Sequence, residues 1–226
     1  VPAEGPLAYD LGLRGDNLPF VRQPGLLLRG NLDLKLQTPA TGGPILSGTV
    51  QLRDSLFLAD LRSLLPKGGA TSRRRPPYFS IDTSPLNTWR LAIDVTGNRF
   101  LRLRTPVFRG IASARFRFGG TLGEPRAISE LTADEGRVLL PFASFEIRQG
   151  TVRLTEAAPF APTVFVRGVG RRYGYDLIME IEGASPSPKV TLSSIPALDP
   201  EQVLLMVMAG APPSNEINYS ATQRIT

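Results

Sequence analysis

The chain contains no histidine and no cysteine. There is therefore no imidazole base, no thiol nucleophile, no His or Cys metal site and no disulfide, which excludes most familiar enzyme mechanisms. Lysine is almost missing as well: Lys35, Lys67 and Lys189 are the only ones, so nearly all of the 26 basic residues are arginine. The longest apolar stretch, Val203 to Ala211, falls well short of the roughly 20 residues that a membrane-spanning helix requires. The opening segment, Val1-Pro2-Ala3-Glu4-Gly5-Pro6, carries neither an initiator Met nor a basic-then-apolar targeting pattern, and reads as the start of an excerpt or a mature product. A cysteine-free chain suits the cytosol and the bacterial periplasm equally, so the count selects no compartment.

What is present points to strands. The 226 residues are 42% hydrophobic and 20% charged, with a mean hydropathy of -0.03, a globular composition of ordinary kind. Glycine (22) and proline (21) are in excess of the share of about 12% that the two contribute together on average. They are scattered rather than tandem, as in a chain of many short strands punctuated by turns, so an all-β class is expected. The net charge of +6 and a pI near 10.1 fit an anionic partner, whether nucleic acid, lipid headgroups or an acidic protein face.

Period-two alternation recurs along most of the chain. Leu32, Leu34 and Leu36 alternate with Asn31, Asp33 and Lys35; Leu46, Gly48, Val50 and Leu52 with Ser47, Thr49, Gln51 and Arg53. Trp89, Leu91, Ile93 and Val95 follow, then Phe108, Gly110, Ala112, Ala114, Phe116 and Phe118 opposite Arg109, Ser113, Arg115 and Arg117. A short unit, glycine entering an alternating strand, recurs at Gly30, Gly48, Gly136 and Gly150, as in a long curved sheet assembled from similar strands. Two segments break the pattern. Pro66 to Pro77 has no periodicity and is expected to be a mobile basic loop. Asp199-Pro200-Glu201-Gln202 before a run of apolar residues ending at Gly210 gives an N-cap, a proline at the first helical position, a capping Gln and a stop, which predicts one short helix over 199–209 and a frayed tail over 211–226. The apolar face of such a sheet has three possible covers: a sandwich, a closed barrel, or a lengthwise trough whose lining is open to another apolar body.

The candidate chemistry is thin. Glu180 and Glu182 share the polar side of one strand and, with Asp134-Glu135, fit solvated charge better than an acid/base pair. No histidine stands ready for a serine nucleophile, and no S-x-x-K occurs. Gly168-Val169-Gly170 before Arg171-Arg172 lacks the remainder of a phosphate loop. Arg102, Arg104, Arg109, Arg115 and Arg117 near Phe116 and Phe118 have the composition of a single-strand nucleic-acid platform. Alternation sends the arginines and the aromatics of one strand to opposite faces, so no nucleic-acid partner is expected.

From Asp134 to Gly210 the chain resembles the C-terminal region of the TamB family, the periplasm-spanning component of the translocation and assembly module. The resemblance is carried in order by D-E-G-R-V-L-L-P at Asp134–Pro141, I-R-Q-G-T-V-R-L at Ile147–Leu154 and A-P-F-A-P-T-V-F-V-R-G at Ala158–Gly168. Y-D-L-I-M-E-I-E-G at Tyr175–Gly183 and P-K-V-T-L-S-S-I-P-A-L-D-P-E-Q-V-L at Pro188–Leu204 complete it. The P-x-V-x-L-S-S-x-P stretch leading directly into a helix is its most specific part, and Ala197 and Asp199-Pro200 depart mildly from the usual Pro then Ser or Thr. The first half matches in style alone.

The resemblance implies a single elongated β domain over 1–226, a fragment of a larger protein. Its expected form is a curved sheet folded into a half-pipe, or β-taco, with an apolar groove and one short C-terminal helix. It also implies a periplasmic domain of an inner-membrane-anchored bacterial envelope protein, paired with a BamA-like outer-membrane barrel of the TamA type. The expected function is non-enzymatic, without cofactor or metal: a groove that conducts phospholipids between the two membranes. The alternative is a chaperone or scaffold that pairs strands with nascent outer-membrane β-barrels. Phe116, Phe118, Phe145, Ile147, Val152 and Leu154 are expected to line the groove, continued by Val164, Val166, Tyr175, Leu177, Met179 and Ile181. Arg73, Arg74 and Arg75 are the expected contacts for anionic headgroups.

Overall fold

The computed structural model describes residues 8–58 and 80–213. The basic loop at 66–77, with Arg73, Arg74 and Arg75, lies outside the described residues, as does the tail from 214 onward. Alternating segments become long strands: β1 (Asp10–Gln23), β2 (Leu26–Gln37), β3 (Ile45–Phe57), β4 (Arg90–Arg104) and β5 (Phe108–Gly120). They continue as β6 (Pro125–Leu139), β7 (Ser144–Thr155), β8 (Ala158–Arg172), β9 (Tyr175–Ala184) and β10 (Lys189–Ile195), followed by helix α1 (Pro200–Met208). All ten strands form one sheet in strict sequence order. Every neighbouring pair is antiparallel except β3 and β4, which run parallel.

Turn chemistry sets the hairpins. Tyr173 (φ 47°) and Gly174 (φ 84°) both take left-handed backbone, the requirement of the tight two-residue turn whose twist matches its strands, and so join β8 to β9. Between β4 and β5 the Phe108 N–H donates to Thr105 Oγ1 at 2.9 Å. Between β5 and β6 the Glu124 N–H donates to Thr121 Oγ1 at 3.0 Å.

Because paired residues share a face, register shows where the alternation leads. One row runs Leu32, Val50, Val95, Phe116, Ser129, Leu154 across β2 to β7. The next runs Ala114, Leu131, Val152, Val164, Gly183 across β5 to β9, and a third Ile147, Gly168, Met179, Leu192 across β7 to β10. A single apolar face therefore crosses the whole sheet. On the other face, directly opposed residues form exposed ion pairs: Arg14–Asp33 at 2.9 Å, Arg117–Asp94 at 3.0 Å, Arg153–Glu130 at 2.8 Å and Arg167–Glu180 at 3.5 Å. Each contributes at most about 1 kcal/mol, but together they fix which face meets water.

The strands bend in mid-course. Register shifts fall between Gly15 and Leu18, Gln51 and Ser55, Gly97 and Leu101, and Ile147 and Gln149. Asn17 (φ 51°), Asp54 (φ 39°) and Arg99 (φ 48°) take left-handed backbone at these points. Each bulge kinks its strand and adds twist, so a series of them across neighbouring strands is a fold line along the stacking direction. Ser55, 1% exposed, pins one bulge by accepting the Arg29 N–H at 3.0 Å and donating to the Arg53 carbonyl at 2.9 Å. The outcome is an open, curved half-pipe in an all-β fold. Phe57 (2% exposed), Leu103 (8%) and Ala112 (1%) are covered by Leu26, Leu101, Phe108 and Leu131 of the same sheet, which requires the apolar face to be the concave one.

Helix α1 closes one end. Val203, Met206 and Val207, at the i, i+3, i+4 positions of one helix face, are fully buried with Phe145, Leu177 and Met179. Pro200 stands at the helix start as expected, but Asp199 makes no side-chain capping hydrogen bond. At the other terminus Gly210 (φ 71°) reverses the chain, and a Cβ there would sit 2.7 Å from the Phe142 ring. The Phe142 N–H donates to the Val207 carbonyl at 3.1 Å, and the Tyr173 hydroxyl donates to the Gly210 carbonyl, so two hairpin turns hold the helix end.

Candidate functional site

All twelve lining residues expected from alternation fall on the apolar face, but in two settings. Phe116, Phe118, Val152, Leu154 and Val164 lie half-buried in the uncovered part of the half-pipe. The Phe116 and Phe118 rings stack along β5 with centroids 6.2 Å apart and planes 12° from parallel. Phe145, Leu177 and Met179 lie beneath α1, ringed by Ile147, Val166, Tyr175 and Ile181. Those seven are packing residues of the closed end. A charge placed at Leu177 would strike this core rather than an open groove.

The space for these large side chains is made by glycines. A Cβ at Gly168 would approach Phe145 Cβ at 3.1 Å and Met179 Cε at 3.3 Å, and one at Gly170 would meet the Ser144 carbonyl at 2.5 Å. The Gly168-Val169-Gly170 stretch is thus a packing device within β8, with no helix following it. The lining also includes residues of the first half that sequence reasoning left out of the site: Leu32, Leu34, Val50, Ile93, Val95 and Leu131. Their alternation was plain; what singled out the later strands was motif similarity, which does not extend to β2–β4.

With ten strands spaced about 4.8 Å apart, the lining extends on the order of 40 Å along the fold line. Where α1 does not cover it, it is an open face rather than an enclosed chamber. A separate hollow of about 850 Å³ follows the bulges on the polar side, lined chiefly by Gln51, Arg53, Thr96, Arg99, Arg115 and Asp134. Its charges are of both signs, and it gives no apolar surface comparable to the groove.

The acidic candidates are surface charge. Asp134 accepts from the Ser113 hydroxyl at 2.6 Å, Glu135 pairs with Arg99, and Glu180 faces Arg167. The hydrogen bond and then the negative charge of Glu135 raise the already high pKa of the Arg99 guanidinium, which stays protonated. Among the described residues no group of three or more acidic side chains is placed to hold a metal ion. Arg115 and Arg117 occupy the polar face, opposite Phe116 and Phe118.

A ten-stranded open half-pipe with a largely apolar lining, and with its charged groups on the outside apart from Arg172 opposite Tyr175, defines a class: an elongated β scaffold that presents a hydrophobic groove. A family model for the TamB C-terminal domain matches residues 2–226, the whole chain rather than its last third. The chain belongs to the TamB family. No curated protein matches it. The family points to a periplasmic envelope protein with a role in envelope biogenesis, and it is not known as a family of enzymes. Among the described residues no helix is long and apolar enough to cross a membrane.

Proposed function

We infer that the groove conducts phospholipids between the inner and outer membranes as part of a translocation and assembly module, with a TamA-type barrel at its outer-membrane end. Acyl chains lie on the apolar face while headgroups stay at the wet rim. The observation that supports this reading is the set of overlapping, mostly apolar rows that together cross one face of the sheet from β2 to β10. Each CH₂ removed from water contributes about 0.8 kcal/mol, so part of one chain is held by several kcal/mol without a directional contact. Such binding is unselective and compatible with sliding.

Native mass spectrometry of the gently purified chain, with lipid extraction alongside, tests it. Phospholipid is expected to co-purify and to be lost from Val95→Asp and Phe116→Asp variants whose far-UV circular dichroism is unchanged. A lipid-free protein that takes up no labelled lipid would overturn the reading.

A second reading, pairing with nascent outer-membrane strands, draws on β1. Among the described residues its outer edge has no partner, and Leu11 (60%) and Leu13 (59%) are exposed. A proline in β1 that removes an outward N–H harms strand pairing and leaves lipid binding intact.

A further inference from the structure

Register places three arginines side by side. Arg104 of β4 lies directly opposite Arg109 of β5, which lies opposite Arg137 of β6. All three are exposed on the polar face, and none forms an ion pair with the described residues. The next residue in the row, Glu146, is engaged by Arg148 at 3.2 Å. Most other directly opposed charges on this face are of opposite sign, the pair Arg29 and Arg53 across β2 and β3 being like-charged as well, and a like-charge row of three destabilises the sheet unless a counter-charge meets it from outside.

The row sits at one end of the half-pipe. Beyond it the chain turns at the tips of successive hairpins, and the tips carry exposed apolar side chains: Val107 (48%), Phe142 (47%) and Tyr173 (45%). These tips are held firmly, since the Leu139 N–H donates to the Val107 carbonyl at 2.9 Å and the Phe142 N–H to the Val207 carbonyl at 3.1 Å. Val107 lies in the tight turn between β4 and β5, only two residues from Arg109, so the row stands directly behind the tip.

We propose that this end of the sheet docks on an anionic phospholipid surface, with Val107, Phe142 and Tyr173 entering the acyl boundary and Arg104, Arg109 and Arg137 binding headgroup phosphates. Apolar tips with a cationic belt directly behind them reproduce the depth order of a membrane interface. Arginine forks bind phosphate oxygens in pairs, and an aromatic ring with a hydroxyl suits the headgroup level. A flat acidic protein face offers counter-charge for the row but no apolar surface for the exposed tips. The docking does not rest on acyl chains entering the groove, so Phe116→Asp leaves it unchanged and the two readings fail separately.

The lack of native cysteine permits a clean test. An environment-sensitive dye is attached to Val107→Cys, or to Ala40→Cys in the exposed loop at the opposite end of the sheet. Each protein is titrated with vesicles of phosphatidylcholine alone or with phosphatidylglycerol at about a third. The dye at 107 is expected to shift to the blue with anionic vesicles only, and the dye at 40 not to respond. Binding weakens by roughly fivefold for each arginine changed to serine, and on the order of a hundredfold in Arg104→Ser/Arg109→Ser/Arg137→Ser. That triple variant melts no lower than the parent, because it removes repulsion, and Val107→Ser gives an independent loss. A silent dye at 107, or a response equal at both ends or indifferent to lipid charge, overturns the proposal and leaves the end to an acidic protein partner.

Discussion

At the scale of single residues, burial divides the apolar face into side chains that hold the fold and side chains that are free to hold something else. Leu177 is fully buried beneath Val203 and Met206, whereas Phe116 is half-buried with no second layer above it. Leu177→Ala is therefore expected to destabilise by about 2–5 kcal/mol, through lost transfer energy and a cavity that α1 cannot fill. Phe116→Ala, with no roof to leave a void under, is expected to lose markedly less despite deleting a larger side chain. Urea unfolding of the two variants checks this, and equal losses would mean that the uncovered lining is as tightly packed as the closed end. Gly210 offers a second test. Its φ of 71° disfavours any side chain, and the Phe142 ring occupies the place of a Cβ. Gly210→Ala is expected to destabilise by about 1–2 kcal/mol and to speed amide exchange in α1 before it does so in the sheet. Exchange unchanged in α1 would show that Phe142 swings aside without loosening the helix.

At the scale of elements, most strands were legible because they carry a period-two signal, whereas β1 and most of β6 were not among the alternating segments and emerge only with the pairing. Helix α1 was legible because Pro200 and Gly210 bracket an apolar run. Its capping was not: Asp199 has the right side chain for an N-cap, but the chain arrives from β10 through Pro196 and Leu198, where Ser194 takes the Leu198 N–H at 3.1 Å and donates to the Pro196 carbonyl at 2.8 Å. Tertiary docking, rather than the local cap, sets where the helix begins. The bulges that fold the sheet were hidden for a different reason. Asp54 and Arg99 adopt left-handed backbone without being glycine, and the Arg99 conformation is held by Ser113 Oγ, which accepts its N–H at 2.8 Å from the neighbouring strand. Such a partner is known only once the strands are paired. Likewise, nothing in the alternation of β3 and β4 distinguishes a parallel pair from the antiparallel pairs around it. The candidate site shared this limit. Alternation put all twelve candidates on one face, but only the position of α1 separates Phe145 and Met179, which form core, from Leu154 and Val164, which stay half-buried outside that core.

At the scale of the whole molecule, a sheet whose strands pair only with their neighbours in sequence approximates a one-dimensional array, in which stability is a sum of strand terms and nearest-neighbour interfaces. Its two edges are unequal. β10 is backed by α1 and by the buried cluster of Phe145, Leu177 and Met179, while β1 has no buried residue over its whole length. Opening should therefore begin at β1 and proceed inward, strand by strand, in place of a single cooperative transition. Native-state hydrogen exchange checks this directly. The amides of β1 that bond β2 are expected to exchange with a small opening free energy, β4–β6 with an intermediate or high one, and β9 close to the global value. Uniform protection from β1 to β10 would show that the half-pipe is one cooperative unit and that its open edge is no weaker than its capped one. The gradient also bears on partners, because an edge that frays readily is the edge an added strand can stabilise. If β1 receives a strand, its amides should gain protection in the complex while those of β9 stay as they were. Lipid in the groove acts differently: it contacts the apolar face of many strands at once and is expected to raise protection along β2 to β7 together.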